Sequence, residues 1–576
     1  MKVAVVGSGV SGLGATWLLN EHSDHEVHLF ESDDRPGGHA NTVHYVPKGK
    51  SKGVDVDTGF IVFNPATYPN FIRFLQLTPA QPKSLLSRLS SLGSSSESED
   101  DDGIRIDKTE MTFSISRDNG AFEWAGKNLA TIFCQPRRLF DSQMWRMIYD
   151  VLRFNACARR VLLTPSREGE REISIGEYLH GEGYSSAFRN NYLIPMTAAI
   201  WSTPPDKCFL DFPARTLIQF LYNHHLLQIT GKPAWLTIHG GSHKYVDRIL
   251  HKLPSTQLHL STPITSVRTL KSEEGGKPQV VLRSADGSEE VFDHVILACH
   301  SDTALEILRA GNIQPDEERI LSQFQWNHNE AVLHSDENLM PRSRLAWSCW
   351  NYLSFTKAVP YASNKSGYIS DTDSSDTNDD LYEGVKIQRP QRTVKMEINE
   401  VSLTYGMNDL QHIPYSRYGA VLVTLNPPFE PDADKIAGRW KYDHPVLDSK
   451  AVKAQNEMYR IQNMRSISYA GAYLKYGFHE DGFTSGLLAA CSLDAGQESI
   501  PAATSYTSTL KGSTIPTRKE TVRPPFEIQH ADHHVRLSRA GSENTFYAYA
   551  AVPFDWLEGT GVRALVGSVG AMSSWV

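Results

Sequence analysis

Short apolar runs and longer stretches of helical period alternate along this chain, and the first alternation is complete by residue 31. Val3, Ala4, Val5 and Val6 make an uninterrupted run of strand length, Gly7 to Gly12 a glycine-rich turn, and a helical stretch then leads to Val27, Leu29 and Phe30, closed by Glu31. Further along come Val54–Asn64 and a helical tract, Gln135–Leu163, with Phe140, Met144, Met147, Ile148, Val151 and Leu152 at helical spacing. Gly240-Gly241 opens another helix through Leu250. Val280, Val281, Leu282 and Val291 read as a hairpin, Val295–Ala298 as a strand, and Tyr469–Ala490 as a strand, a loop and a final helix. This order predicts an α/β protein of two domains, each visited by the chain more than once. No fixed-period repeat is visible.

The first unit has the spacing of a dinucleotide-binding βαβ. In Gly7-Ser8-Gly9-Val10-Ser11-Gly12, Gly7 permits the turn out of the strand, Gly9 lets backbone approach a pyrophosphate, and Gly12 lets the helix pack close to the sheet. Glu31 is placed to accept hydrogen bonds from a ribose hydroxyl. Just beyond stands Arg35-Pro36-Gly37-Gly38-His39, whose paired glycines allow close passage of backbone and whose arginine can neutralise a diphosphate. Near the other end, Asp481 to Gly486 opens a second helix, which supplies N–H donors to another edge of a large ligand. A nicotinamide dehydrogenase needs little beyond the first βαβ, whereas a ligand spanning both helix ends suits FAD. No second GxGxxG follows a strand, so oxygen or another acceptor is expected to reoxidise the flavin, rather than a built-in NADPH domain.

Length and composition add bounds. With 576 residues and 40% hydrophobic content the chain can bury a large core, and a net charge of -9 without a Lys/Arg tract argues against nucleic acid as a partner. The six cysteines lack CxxC or Cys/His spacing, so neither a disulfide framework nor a metal site is expected. The apolar stretch Val3–Leu19 carries regularly spaced glycines and no small-residue cleavage site, and no window approaches twenty apolar residues; a cytoplasmic protein is expected. Ser84–Gly103 and Ala362–Asp380, rich in Ser and Asp, are expected to be disordered surface insertions. From Pro501 a Thr/Ser/Pro-rich linker leads to Tyr547–Val576, apolar enough to dock.

The GxGxxG with Glu31, the Arg35/Gly37/Gly38 element, the strand Asp293–Ala298 and the segment Ala470-Gly471 through Asp481-Gly482-Phe483-Thr484-Ser485-Gly486 together resemble the flavin amine oxidase and phytoene desaturase superfamily. Asp57–Asn64, Gly240-Gly241-Ser242, Leu297-Ala298-Cys299-His300 and Tyr476–Gly482 are similar to a subgroup of predicted NAD/FAD-binding, amine-oxidase-like proteins often associated with cyclopropane-fatty-acid synthases. The resemblance implies a Rossmann-like FAD-binding domain of the GR2 type over 1–83, 231–305 and 456–500, interleaved with a mixed α+β substrate domain over 104–230 and 306–455, and a linker and tail over 501–576. It further implies that Gly7, Ser8, Gly9, Val10, Ser11 and Gly12 face the pyrophosphate, and that Glu31 and Ser32 face the ribose. Arg35, Gly37, Gly38 and His39 would then lie along the diphosphate and flavin edge, and the backbone at Ile264 at the adenine. Gly471, Asp481, Gly482, Thr484 and Ser485 would hold ribityl and pyrophosphate groups. His39 stands where many relatives carry arginine, and Ala472 where many carry glutamate.

For the reacting face, His479, Glu480, His39, Asp57 and His300 adjoin these elements, with His479 the candidate to handle a proton and Asp57 expected to fix the turn at Gly59. Trp235, Trp326, Trp347, Trp350 and Tyr352 are candidates for an apolar pocket. The helical tract Gln135–Leu163, which also carries six arginines, reads either as a core helix with solvated arginines or as an interfacial helix in peripheral contact with a membrane. The function expected is an FAD-dependent oxidoreductase acting on a hydrophobic small molecule, fatty-acyl or isoprenoid-like. The alternatives are a flavin amine oxidase and a non-catalytic flavin-binding partner of a lipid methyltransferase. The sequence does not fix the oligomeric state.

Overall fold

The computed structural model describes residues 1–77, 103–163, 173–201, 212–228, 233–270, 278–357, 397–494, 522–529 and 550–557. The expected insertions at 84–103 (but for Gly103) and 362–380, and most of the tail beyond residue 494, lie outside the described residues. A five-stranded, all-parallel sheet organises the nucleotide side, in the order Ile467–Tyr469, His294–Leu297, Lys2–Val6, Glu26–Phe30, Leu258–His259. Val3 to Val6 are buried on both faces, as a near-continuous apolar run in a covered parallel sheet should be. The predicted strands at Val27–Phe30, Val295–Ala298 and Tyr469 all join this sheet. The short edge Leu258–His259 has no apolar run to announce it. The predicted hairpin extends to three antiparallel strands, Ile264–Thr269, Val280–Ser284 and Glu289–Phe292.

The helix Val10–His22 is buried from Ser11 through Leu19 because it lies between this sheet and the final helix, His479–Cys491. Small residues make that crossing close: a Cβ at Gly486 would stand 2.0 Å from the Ser11 carbonyl oxygen, and one at Gly482 2.6 Å from Val10 Cγ1. The final helix starts at His479, two residues before Asp481, where the sequence reading opened it.

The other half is a seven-stranded sheet in the order Ile436–Val446, Gln325–His334, Leu422–Leu425, Glu397–Gly406, Trp350–Lys357, Phe113–Arg117, Phe122–Ala125, antiparallel except where Trp350–Lys357 meets Phe113–Arg117. Helices pack beside it. The tract Gln135–Leu163 is not one helix: a short 3-10 turn at Pro136–Phe140 ends at Asp141, whose carboxylate caps Ser142–Cys157 by accepting from the Gln143 N–H at 2.9 Å. Met144 and Met147 face the core, whereas Phe140 and Leu152 face solvent. Two of its arginines depart from the solvated expectation, since Arg153 lies buried over the Tyr184 ring and Arg159 over Tyr222.

Buried polar contacts join the halves. Asn41 Nδ2 donates to Tyr442 Oη at 2.9 Å, Thr58 Oγ1 meets the same phenol at 2.7 Å, and Asp57 accepts from Thr42, Ser242 and Gln411. The described pieces of the tail dock as well. Val522, Phe526 and Ile528 pack on the nucleotide-side core, and Asp555 pairs with Arg160 on the helical layer. No helix among the described residues is long and apolar enough to cross a membrane.

Candidate active site

The parallel strands end at a cleft of about 1440 Å³, its open mouth included, bounded by Gly9, Val10 and Ser11, by His39, by Ala298-Cys299-His300 and by Gly471–Tyr473. Backbone geometry explains the glycines. Gly7 has φ +102°, and a Cβ there would meet the Ala298 carbonyl oxygen at 2.9 Å; at Gly12 it would meet the Gly7 oxygen at 1.8 Å. Both therefore shape the turn from behind. Gly9 is different, because a Cβ there has nothing within 4 Å and would project into open space beside the cleft. Gly38 (φ +56°) brings its loop onto Gly9, where its own Cβ would stand 3.2 Å from Gly9 Cα.

Glu31 and Arg35 brace this end. The Glu31 carboxylate accepts from Ser8 N–H (2.8 Å), Ser8 Oγ, Ser32 Oγ (3.1 Å) and Asp33 N–H (3.0 Å), which fills its four lone-pair positions with protein donors. Arg35 donates to the Gly38 carbonyl at 3.0 Å, and Gly37 N–H to the Ser8 carbonyl at 3.1 Å, so the two loops hold each other. Ile264 is buried at the start of its strand; just before it, Thr262 N–H donates to the Glu31 carbonyl and Ser261 N–H to Asp33.

On the opposite wall, Gly477, Phe478 and His479 present the N-terminal end of the final helix. The expected ligand-facing groups of that helix are otherwise engaged. Asp481 accepts from Phe478 N–H at 3.0 Å, Ser485 Oγ accepts from Gly471 N–H and donates to the Gly482 carbonyl, and Thr484 Oγ1 takes a bond from Asn70. Glu480 receives the Asn70 and Phe71 N–H groups at 2.9 and 3.0 Å, capping the helix Pro69–Gln76; burial pushes its carboxyl up to about 8. Asp57, also buried and pushed up to about 6, lies off the cleft wall, where it holds Ser242 rather than the turn at Gly59. Gly59 is itself on the wall, close against the His39 carbonyl.

Histidine is the characteristic ionisable residue of the cleft. His479 stacks on Phe60 at 3.7 Å, its Nε2 2.9 Å from the buried Tyr245 hydroxyl, and desolvation pulls its pKa to about 3. His300 stacks on Trp326 at 3.8 Å, and His39 lies 5.2 Å from His444 between ring centroids. Burial lowers the pKa of all three, His444 to about 4, so the set is neutral at pH 7. Burial raises the Cys299 thiol to about 12, which leaves it protonated. Beyond Gly59 the wall turns apolar: Ile61, Val62, Met111, Ile200, Phe220, Leu226, Trp235, Trp350 and Tyr405. Trp235, Trp326 and Trp350 thus line the cleft as the sequence suggested, whereas Tyr352 is buried elsewhere and Trp347 packs near Met340. Met111, Phe220 and His444 had no motif to mark them. Among the described residues no cluster could hold a metal ion.

These walls suit a dinucleotide cofactor. Gly9 leaves the space a close backbone approach requires, helix N-termini at Val10 and His479 reach the cleft from two sides, and His39 Nε2 is a buried polar atom without a hydrogen-bond partner. Residues 5–77 match the NAD(P)-binding Rossmann-like domain family and residues 184–333 the family of flavin containing amine oxidoreductases. No curated protein sequence matches the chain. Among solved structures, it is similar to a CLA-producing fatty acid isomerase from P. acnes, at 14% identity and TM-score 0.50 over 84% of this chain and 96% of that one. It is also similar to a reduced UDP-galactopyranose mutase, at 14% identity and TM-score 0.50 over 85% of this chain and 93% of the other. At this identity the likeness is one of fold. The two matches, the first on the nucleotide half and the second running from the neighbouring helices into that same half, support an FAD-dependent oxidoreductase whose residues 184–333 are similar to the flavin containing amine oxidoreductases.

Proposed function

We propose that the protein oxidises or rearranges a neutral, hydrophobic small molecule, fatty-acyl or isoprenoid-like, by passing hydride to its flavin. The observation that carries this is the far wall of the cleft. Among the described residues it is built from aliphatic and aromatic side chains without a lysine or arginine, and the one carboxylate among them, Asp443, is engaged with His328 at 2.9 Å. A charged substrate would lose hydration there without a partner to replace it.

Gly9, Val10 and Ser11, the Gly38–His39 loop and Gly471-Ala472 would hold the cofactor. FAD bound there supplies a two-electron acceptor at N5. The chain's own part is positioning and exclusion of water. Phe60, Phe220, Trp235 and Trp350 shield the reacting carbon, and the neutral imidazoles of His39, His300, His444 and His479 add no formal charge beside it. In this reading His479 is a wall and hydrogen-bonding residue. An imidazole held near 3 takes up no proton at neutral pH, so no base is assigned to it.

An amine is the second reading, favoured by Trp350 and Tyr405, which meet edge to face at 5.2 Å on the wall and could flank a neutral amine. Anaerobic mixing of the FAD-loaded protein with long-chain neutral lipids and, separately, with primary amines tests both. Bleaching of the visible flavin bands by the lipids is expected. Bleaching by amines alone would overturn the first reading, and bleaching by neither, with the recovered lipids not isomerised, would favour a flavin-binding partner without turnover.

A further inference from the structure

One imidazole in the cleft has its tautomer fixed by the residues behind it. Asn329, buried in the strand Gln325–His334, accepts through Oδ1 from two side-chain amides, Asn426 Nδ2 at 2.7 Å and Asn327 Nδ2 at 3.2 Å. Its Oδ1 position is thereby identified, and its Nδ2 donates to the Asn327 carbonyl at 3.0 Å and points at His444 Nδ1, 2.9 Å away. An amide nitrogen only donates, so His444 Nδ1 carries the lone pair and Nε2 carries the proton. Among the described residues nothing accepts from that Nε2–H, and His444 is part of the cleft wall. Beside it, His39 Nε2 is buried and also without a partner.

We infer that His444, oriented by the Asn426–Asn329 relay, offers an Nε2–H donor to a carbonyl oxygen in the cleft, with His39 completing the polar end of the pocket. The ligand chemistry follows from charge. A carboxylate would sit among neutral imidazoles with no cation among the described residues of the wall, whereas a carbonyl needs only a neutral donor. That carbonyl belongs either to the substrate or to the flavin ring. The substrate arm rests on the apolar-substrate reading above; the flavin arm does not.

The test uses the full-length, FAD-loaded protein and three probes of one chain length: a methyl ketone, the alkane and the fatty acid, with binding followed by quenching of the cleft tryptophans. His444→Phe is expected to lower the ketone-to-alkane affinity ratio about tenfold while leaving alkane affinity unchanged. If the carbonyl is the flavin's, that ratio stays put while FAD affinity falls about tenfold and the visible spectrum shifts. The absence of both changes would overturn the inference. ¹⁵N spectra of histidine-labelled protein, with the His444 signals assigned by their loss in His444→Phe, supply an arm that needs no substrate. Wild type should show a protonated Nε2 and a bare Nδ1, and Asn329→Asp should draw the proton to Nδ1. A wild-type Nδ1–H would sink the proposal. Failure of every probe to bind wild type would count against the apolar substrate alone, leaving the FAD and ¹⁵N arms to decide on His444.

Discussion

At the scale of single residues, the glycines of the first turn divide by what a methyl group would strike. Gly12→Ala drives Cβ onto the Gly7 carbonyl oxygen and should cost about 3 kcal/mol of stability, read as a lowered denaturant midpoint. A Cβ at Gly9 has no protein atom within 4 Å, so in Gly9→Val the folded state should lose less than about 1 kcal/mol while the protein loses its flavin. A Gly9→Val protein that retains flavin would contradict the assignment of this wall. His479 gives a pH prediction. Its folded pKa, about 3, lies below the unfolded value near 6.5, so the unfolded chain binds the extra proton between them and the stability present at neutral pH is lost as pH falls. Between about pH 7 and 5 this amounts to about 2 kcal/mol, and His479→Phe should flatten that slope in urea titrations. The glycine turn was legible because its constraints are local and steric. The saturation of Glu31 was not, since its donors Ser8 and Asp33 come together only when two loops fold over each other.

Among elements, the crossing of Val10–His22 and His479–Cys491 fixes both helix ends at the cleft. Gly486→Ala sets Cβ against the Ser11 carbonyl, which cannot move without unwinding the first helix, whereas Gly482→Ala meets side-chain atoms, Val10 Cγ1 at 2.6 Å and Ser11 Oγ at 3.0 Å. The first should be the more destabilising by about 2 kcal/mol and should weaken FAD binding; equal effects would show that the crossing is looser than described. The four-residue spacing of Gly482 and Gly486 was visible in the sequence, but its partner helix, more than 450 residues earlier, was not. The tract Gln135–Leu163 misled for a local reason. Its apolar period continues through Asp141, whose capping bond ends one element and starts the next.

The whole molecule is held together by contacts distant in sequence. Asn70 Nδ2 donates to the Gln529 carbonyl and Gln529 N–H returns to Asn70 Oδ1, while Phe526 stacks on Trp17. A chain ended before Val522 should lose about 3 kcal/mol more than one ended before Ala550, which gives up the exposed ion pair Arg160–Asp555, the buried Ala551 and the Tyr149–Phe554 ring contact, as thermal unfolding would show. That the tail docks on the nucleotide half follows from Val522, Phe526 and Ile528, a pattern too sparse to read in a Thr/Ser/Pro-rich stretch. The alternation of the two halves was legible, because strands at Val3, Val27, Val295 and Tyr469 share one apolar signature and one sheet. The most direct test of one cleft around one flavin is equilibrium titration of flavin-free protein with FAD. The account predicts saturable binding of a single FAD per chain, abolished by Gly9→Val in a protein that remains folded; a chain that binds no FAD, or binds it equally well with valine at position 9, would contradict it.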